Sequence, residues 1–107
     1  MRKIQAAMNR AIRSRSNWSS GNTRVEITPD NDALVYLHSN LIGKVSQHFV
    51  KLFDGGWQSN TTKSRLNAIL DEFHYGSGVF QRDWTWYVNL QIGGHIPFYS
   101  GIELNHN

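Results

Sequence analysis

The chain is 107 residues long, 39% hydrophobic and 12% aromatic, with no cysteine and a formal charge of +3. That length holds one domain with one core, the apolar content excludes a disordered chain, and the missing thiols exclude disulfides, zinc–thiolate centres and a cysteine nucleophile. No apolar run approaches the roughly 20 residues that a membrane span needs.

Charge is unevenly spread. Arg2, Lys3, Arg10, Arg13 and Arg15 precede residue 16 with no acid among them, and the rest of the chain is slightly acidic. Residues 3–14 read as an amphipathic helix. Ile4, Ala7, Met8, Ala11 and Ile12 form one stripe, and Arg2, Lys3, Arg10 and Arg13 lie opposite. An Arg- and Ser-rich, acid-free start also has the composition of a mitochondrial presequence. Residues 14–22 are polar and read as a linker, so the expected organisation is a basic helix and linker over 1–22 and one α+β domain over 23–104.

Strands are expected next, over Thr23–Thr28 and Ala33–His38, separated by a Pro29-Asp30-Asn31-Asp32 turn. Ser39-Asn40 reads as a two-residue hairpin turn, followed by a returning strand Leu41–Ser46. Gln47–Phe53 is a further strand whose inward face stays open, because both alternations are half apolar. Asp54-Gly55-Gly56 breaks the pattern. A second helix spans about Thr61–Phe73, capped by Asn60 or Thr61 and ended by Gly76 and Gly78. Val79–Leu90 is too long for one ordinary strand and reads as a hairpin turning at Arg82–Thr85. His95–Tyr99 and Gly101–Leu104 form a last edge segment, and Asn105–Asn107 a frayed tail. The expected fold is α+β: an antiparallel sheet of about five to seven short strands, one packed helix, and the basic helix in front.

The stretch Gly55–Arg65 opens the second helix with Thr61, Thr62, Lys63 and Arg65 where acids are normally favoured. A helix N-terminus with cations and hydroxyls suits an external anion such as a phosphate, and Trp57 could stack on a base. Equally, Thr and Asn cap the helix, Trp57 fills the core, and the two cations face solvent. No Walker glycine pattern surrounds Lys63-Ser64. Arg2, Lys3, Arg10 and Arg13 offer a second electrostatic footprint, or a solvated face. The five histidines show no metal-binding spacing, and Asp71, Glu72 and His74 read as exposed groups at a helix end. No metal, cofactor or catalytic residue is assigned. Trp84 at the expected hairpin tip is a candidate partner contact, while Trp86 reads as core.

The run Trp57-Gln58-Ser59-Asn60-Thr61-Thr62-Lys63-Ser64-Arg65-Leu66-Asn67 resembles a Trp-x-Thr-x-Thr-Thr-Lys-x-Arg-Leu-Asn signature. That signature recurs in short proteins of tailed phages and environmental viruses. Tyr36–Asn40, Val79–Gln81, Trp86–Val88 and Pro97–Gly101 follow in matching order, so the resemblance covers about residues 23–102. Ser39 replaces the usual turn glycine, and the basic helix lies outside the pattern. The resemblance implies a phage accessory protein of the host bacterial cytoplasm, with no implied activity. The leading expectation is a non-enzymatic protein that binds nucleic acid, or a host nucleic-acid-handling or defence complex, through its basic surface. The rivals are a protein-binding module or small homo-oligomer using exposed aromatics, and a small enzyme or binder of a phosphorylated ligand at the 55–65 loop.

Overall fold

Alternating apolar residues decide which side of each strand turns inward. In the computed structural model, which describes residues 2–106, those sides converge on one core. The basic helix is α1 (Lys3–Ser14), and the next strands are β1 (Trp18–Ser20), β2 (Thr23–Ile27), β3 (Ala33–Leu37), β4 (Asn40–Val45) and β5 (Phe49–Leu52). Helix α2 (Asn60–Phe73) precedes β6 (Gly78–Arg82), β7 (Thr85–Asn89), β8 (His95–Pro97) and β9 (Ile102–Asn105). All pairings are antiparallel. One sheet has the order β1-β2-β3-β4-β5-β9, and the other is β6-β7-β8.

The expected α+β class holds, with two differences. The described residues form nine strands in two sheets, and both helices are packed. The larger sheet presents Val25, Val35, Leu37, Ile42, Val45, Val50, Leu52, Ile102 and Leu104 to the core, where they meet Met8 and Ile12 of α1 and Leu66, Ile69 and Leu70 of α2. The smaller sheet adds Val79, Trp86 and Val88 to the same core. The open question over 47–53 resolves in favour of Val50 and Leu52 as the inward pair.

Local differences have physical causes. Residues 18–20, expected within a linker, form edge strand β1, because Trp18 packs on the core and Asn17 Oδ1 accepts the Ile27 N–H at 2.8 Å. The β3–β4 turn is His38-Ser39 rather than Ser39-Asn40. Both residues have positive φ, 50° and 67°, as a two-residue turn of this hand requires. A bulge in β4 buries both Ile42 and Gly43 and lengthens the returning strand by one residue. The N-cap of α2 is Ser59, whose hydroxyl accepts the Thr62 N–H at 3.1 Å. Asn67 clamps β6 to α2, donating to the Val79 carbonyl at 3.0 Å and accepting the Val79 N–H at 2.7 Å. The tail is not frayed as far as it is described. Asn105 belongs to β9, and the His106 N–H reaches the His48 carbonyl at 2.8 Å; Asn107 lies outside the described residues. Among the described residues, no helix is long and apolar enough to cross a membrane.

Candidate functional site

Helix α1 turns a slightly different face inward from the expected stripe. Gln5 and Asn9 are buried with Met8, Ala11 and Ile12, whereas Ile4 and Ala7 are half-buried. The two polar residues explain the rotation, because they face α2. The Gln5 amide donates to Ser64 Oγ at 2.7 Å, the Asn9 amide donates to the Ala68 carbonyl at 2.9 Å, and Arg13 pairs with Glu72. Each partner lies 59 residues further along the chain. The helices therefore run side by side, parallel and in fixed register, with both N-termini at one end.

That arrangement concentrates positive charge. Each helix N-terminus carries about half a unit of positive charge on its free N–H groups. Neither helix has an acid in its first turn, and α1 has no side-chain cap on its first N–H groups. Cations stand there instead. Arg2 and Lys3 are exposed at the start of α1. Lys63 is half-buried on α2, with its ammonium 3.4 Å from Gln81 Oε1.

Arg65 departs most from expectation. It is 4% exposed instead of facing an external anion at the helix surface. Its Nε donates to Thr23 Oγ1 at 3.2 Å and its Nη2 to Asn22 Oδ1 at 3.5 Å, while Nη1 is buried without a hydrogen-bond partner. Burial, and then the charge of Arg2, push its pKa below the usual guanidinium range, and the Gln5–Ser64 contact brings the two predicted basic patches to one end. Thr62 is likewise buried and belongs to the cap, and Thr61 is half-buried. Arg10 is exposed on α1, two helical turns from Lys3.

Ion pairing separates these cations from four others, though Arg15 and Arg82, elsewhere on the chain, are also outside the ion pairs of the described residues. Among the described residues, Arg13 pairs with Glu72, Arg24 with Glu26, Lys44 with Asp32 and Lys51 with Glu103. None of those pairs includes Arg2, Lys3, Arg10, Lys63 or Arg65. Arg13 therefore drops out of the expected footprint, because its own chain neutralises it.

Beside the start of α2 is a cavity of about 360 Å³. Leu37 and Ile42 supply apolar wall, and Trp57, His38, Asn40, Asp54 and Thr61 also line it. Trp57 is 78% exposed, so it is neither core nor covered. Gly55 (φ +72°) and Gly56 (φ +89°) make the turn that delivers it, and a Cβ on Gly55 would stand 3.1 Å from the Asn40 Cβ. Sequence reasoning missed Gln5, Asn9, Asn22, Thr23 and the cavity residues His38, Asn40 and Asp54. Only contacts distant in the chain reveal them.

Trp84 is 91% exposed with φ +67° at the β6–β7 tip, three residues beyond Gln81, which meets Lys63. Trp86 is buried, as expected. His74, expected to be exposed, is buried, with its Nδ1 3.0 Å from that of His106. No group of three or more histidines or carboxylates among the described residues could hold a metal ion.

No curated protein and no solved structure matches the chain. A family model does match, over residues 1–105. It therefore takes in α1, which the resemblance left outside the shared pattern, and it supports the expected origin in a phage protein family. The chain belongs to the family described as Kyanoviridae Gp96 protein.

Proposed function

We propose that this phage protein is a non-enzymatic accessory factor that binds nucleic acid, alone or within a host nucleic-acid-handling complex, through the N-terminal end of its helix pair. It acts in the cytoplasm of the infected bacterium, and antagonism of host defence is one role of this kind. One observation carries the reading: two parallel helices start together, without acids in their first turns, beside Arg2, Lys3 and Lys63, with Arg65 buried behind them and, among the described residues, in no ion pair. Parallel helix ends repel one another, and cations add to that repulsion. A phosphate backbone brought to this end relieves both.

The test is fluorescence anisotropy with labelled DNA and RNA at low salt. The Arg2→Ala/Lys3→Ala/Lys63→Ala variant is compared with Lys44→Ala/Lys51→Ala, which removes charge from the opposite sheet face. The first variant is expected to lose at least tenfold in affinity and the second to stay near wild type. Equal losses would show that overall charge, not this end, drives binding. The partner-contact reading rests on Trp84, whose exposure and left-handed backbone suit a docking anchor. In the same assay, Trp84→Gly is expected to leave affinity unchanged. A loss there would favour the hairpin tip.

A further inference from the structure

We propose that the cavity beside the start of α2 receives one unpaired nucleobase, stacked on Trp57, so that the protein prefers single-stranded nucleic acid to duplex. This inference rests on the nucleic-acid reading above and names the form of nucleic acid.

The cavity has the make-up of a base site. Its volume of about 360 Å³ falls within the roughly 300–1,000 Å³ of small-ligand sites. Leu37 and Ile42 give it an apolar wall, and Trp57 brings a largely exposed indole. Burying apolar surface on both sides of a flat ring is what base stacking requires, and it is tolerant of sequence. The polar groups suit a base edge. Asn40 offers a carbonyl acceptor and an amide donor. Asp54 spends Oδ1 on the Gly56 N–H at 2.8 Å and the Ser100 hydroxyl at 3.3 Å, which leaves Oδ2 as an acceptor.

Charge decides which part of a nucleotide enters. No Lys or Arg lines the cavity, and the Asp54 carboxylate does. A phosphate would meet that carboxylate, whereas an uncharged base meets apolar wall and hydrogen-bonding edges. The cations lie across the helix start from it. Thr61 lines the cavity, and Lys63, two residues on, stands on the opposite side of α2 beside Gln81. A strand running across the helix ends thus keeps its phosphates near Lys63 and Arg2 while turning one base into the cavity. In a duplex the faces and edges of the bases are already stacked and paired, so a duplex has no base to offer without first breaking a pair.

The cavity walls are held in place. His38 and Ser39 form a tight turn, and the His38 N–H bonds the Asn22 carbonyl at 2.8 Å. Asn22 also accepts from Arg65. Trp57 is fixed to the Gly55-Gly56 turn by its N–H to the Asp54 carbonyl at 3.3 Å. Pre-ordered walls lower the entropy cost of holding a base.

The experiment measures anisotropy with the full chain and four labelled probes: a short oligothymidylate, the matching oligouridylate, an abasic DNA strand of the same length, and a duplex. The thymidylate or the uridylate is expected to bind at least tenfold tighter than both the abasic strand and the duplex. Trp57→Ala is expected to remove about 5- to 150-fold of that affinity, the value of one stacked base, while leaving the abasic strand unchanged. Trp57→Phe should recover most of the loss. Because Trp57 is exposed, the Ala variant keeps the fold, which its thermal transition checks. Equal binding of the abasic and base-bearing strands would overturn the base site while leaving phosphate binding standing. A failure of all four probes to bind would overturn both.

Discussion

Arg65 is the residue on which the sequence pattern and the structure disagree most usefully. Its place in the Lys-x-Arg pattern pointed to a solvent-facing anion contact. Instead it lies under the helix pair, bonded to Thr23 and Asn22, with one nitrogen unpartnered. A buried charge without a counter-charge is costly, and an apolar group of similar length removes that cost. Arg65→Met is therefore expected to leave stability in urea unchanged or raise it by up to about 3 kcal/mol, while weakening binding of nucleic acid. A loss of more than about 1 kcal/mol would mean that its two hydrogen bonds outweigh its burial. The same comparison clarifies the Trp57–Asn67 run. Ser59 and Thr62 form the cap, Leu66 is core, and Asn67 clamps β6. Trp57, Gln58 and Asn60 are exposed, and Thr61 and Lys63 half-buried, which leaves these five for a ligand. Spacing along the chain did not separate those roles, because burial depends on β2 and β6, which lie far from the run in sequence.

Element types were legible wherever local pattern decides them: the α1 stripe, the Thr23–Leu37 alternation and the Asp83-Trp84 tip. What stayed hidden was pairing between elements. Nothing local shows that α1 and α2 share a register, since its marks are three side-chain contacts bridging 59 residues. Nor does local pattern show that the chain leaves β8 to place β9 beside β5. That crossover brings the end of the chain to the C-terminal end of α2, where His74 and His106 meet at 3.0 Å. Ser77, whose hydroxyl is buried without a partner, and Glu103 line the same recess. Burial first, and the nearby His106 second, lower the His74 pKa from 6.5. The folded protein thus holds His74 neutral where the unfolded chain takes a proton. The stability this contributes is complete above about pH 6.5 and is lost as pH falls below that value. His74→Gln is expected to flatten the fall in urea midpoint between about pH 6.5 and 5. An unchanged slope would place the acid sensitivity elsewhere.

At the scale of the whole molecule, charge is sorted by place. On the outer sheet face, Arg24 covers the Tyr36 ring, Lys44 and Lys51 flank Phe49, and all three cations have carboxylate partners. That face is neutralised by its own chain. The helix-pair end is not. There the cations coincide with two positive helix termini, which is the condition for releasing counterions from a polyanion. The composition showed an excess of basic residues near the start of the chain but could not show that Lys63 and Arg65 join it, because that depends on the parallel pairing of the helices.

The most direct test is the salt dependence of binding to a single-stranded oligonucleotide. The logarithm of the binding constant against the logarithm of salt concentration is expected to fall with a slope of about −2, as three phosphate contacts on a single strand require. Each of Arg2→Ala, Lys3→Ala and Lys63→Ala should reduce the steepness by roughly 0.7. A flat dependence, or a slope that these three substitutions leave unchanged, would contradict a polyanion site at the paired helix ends.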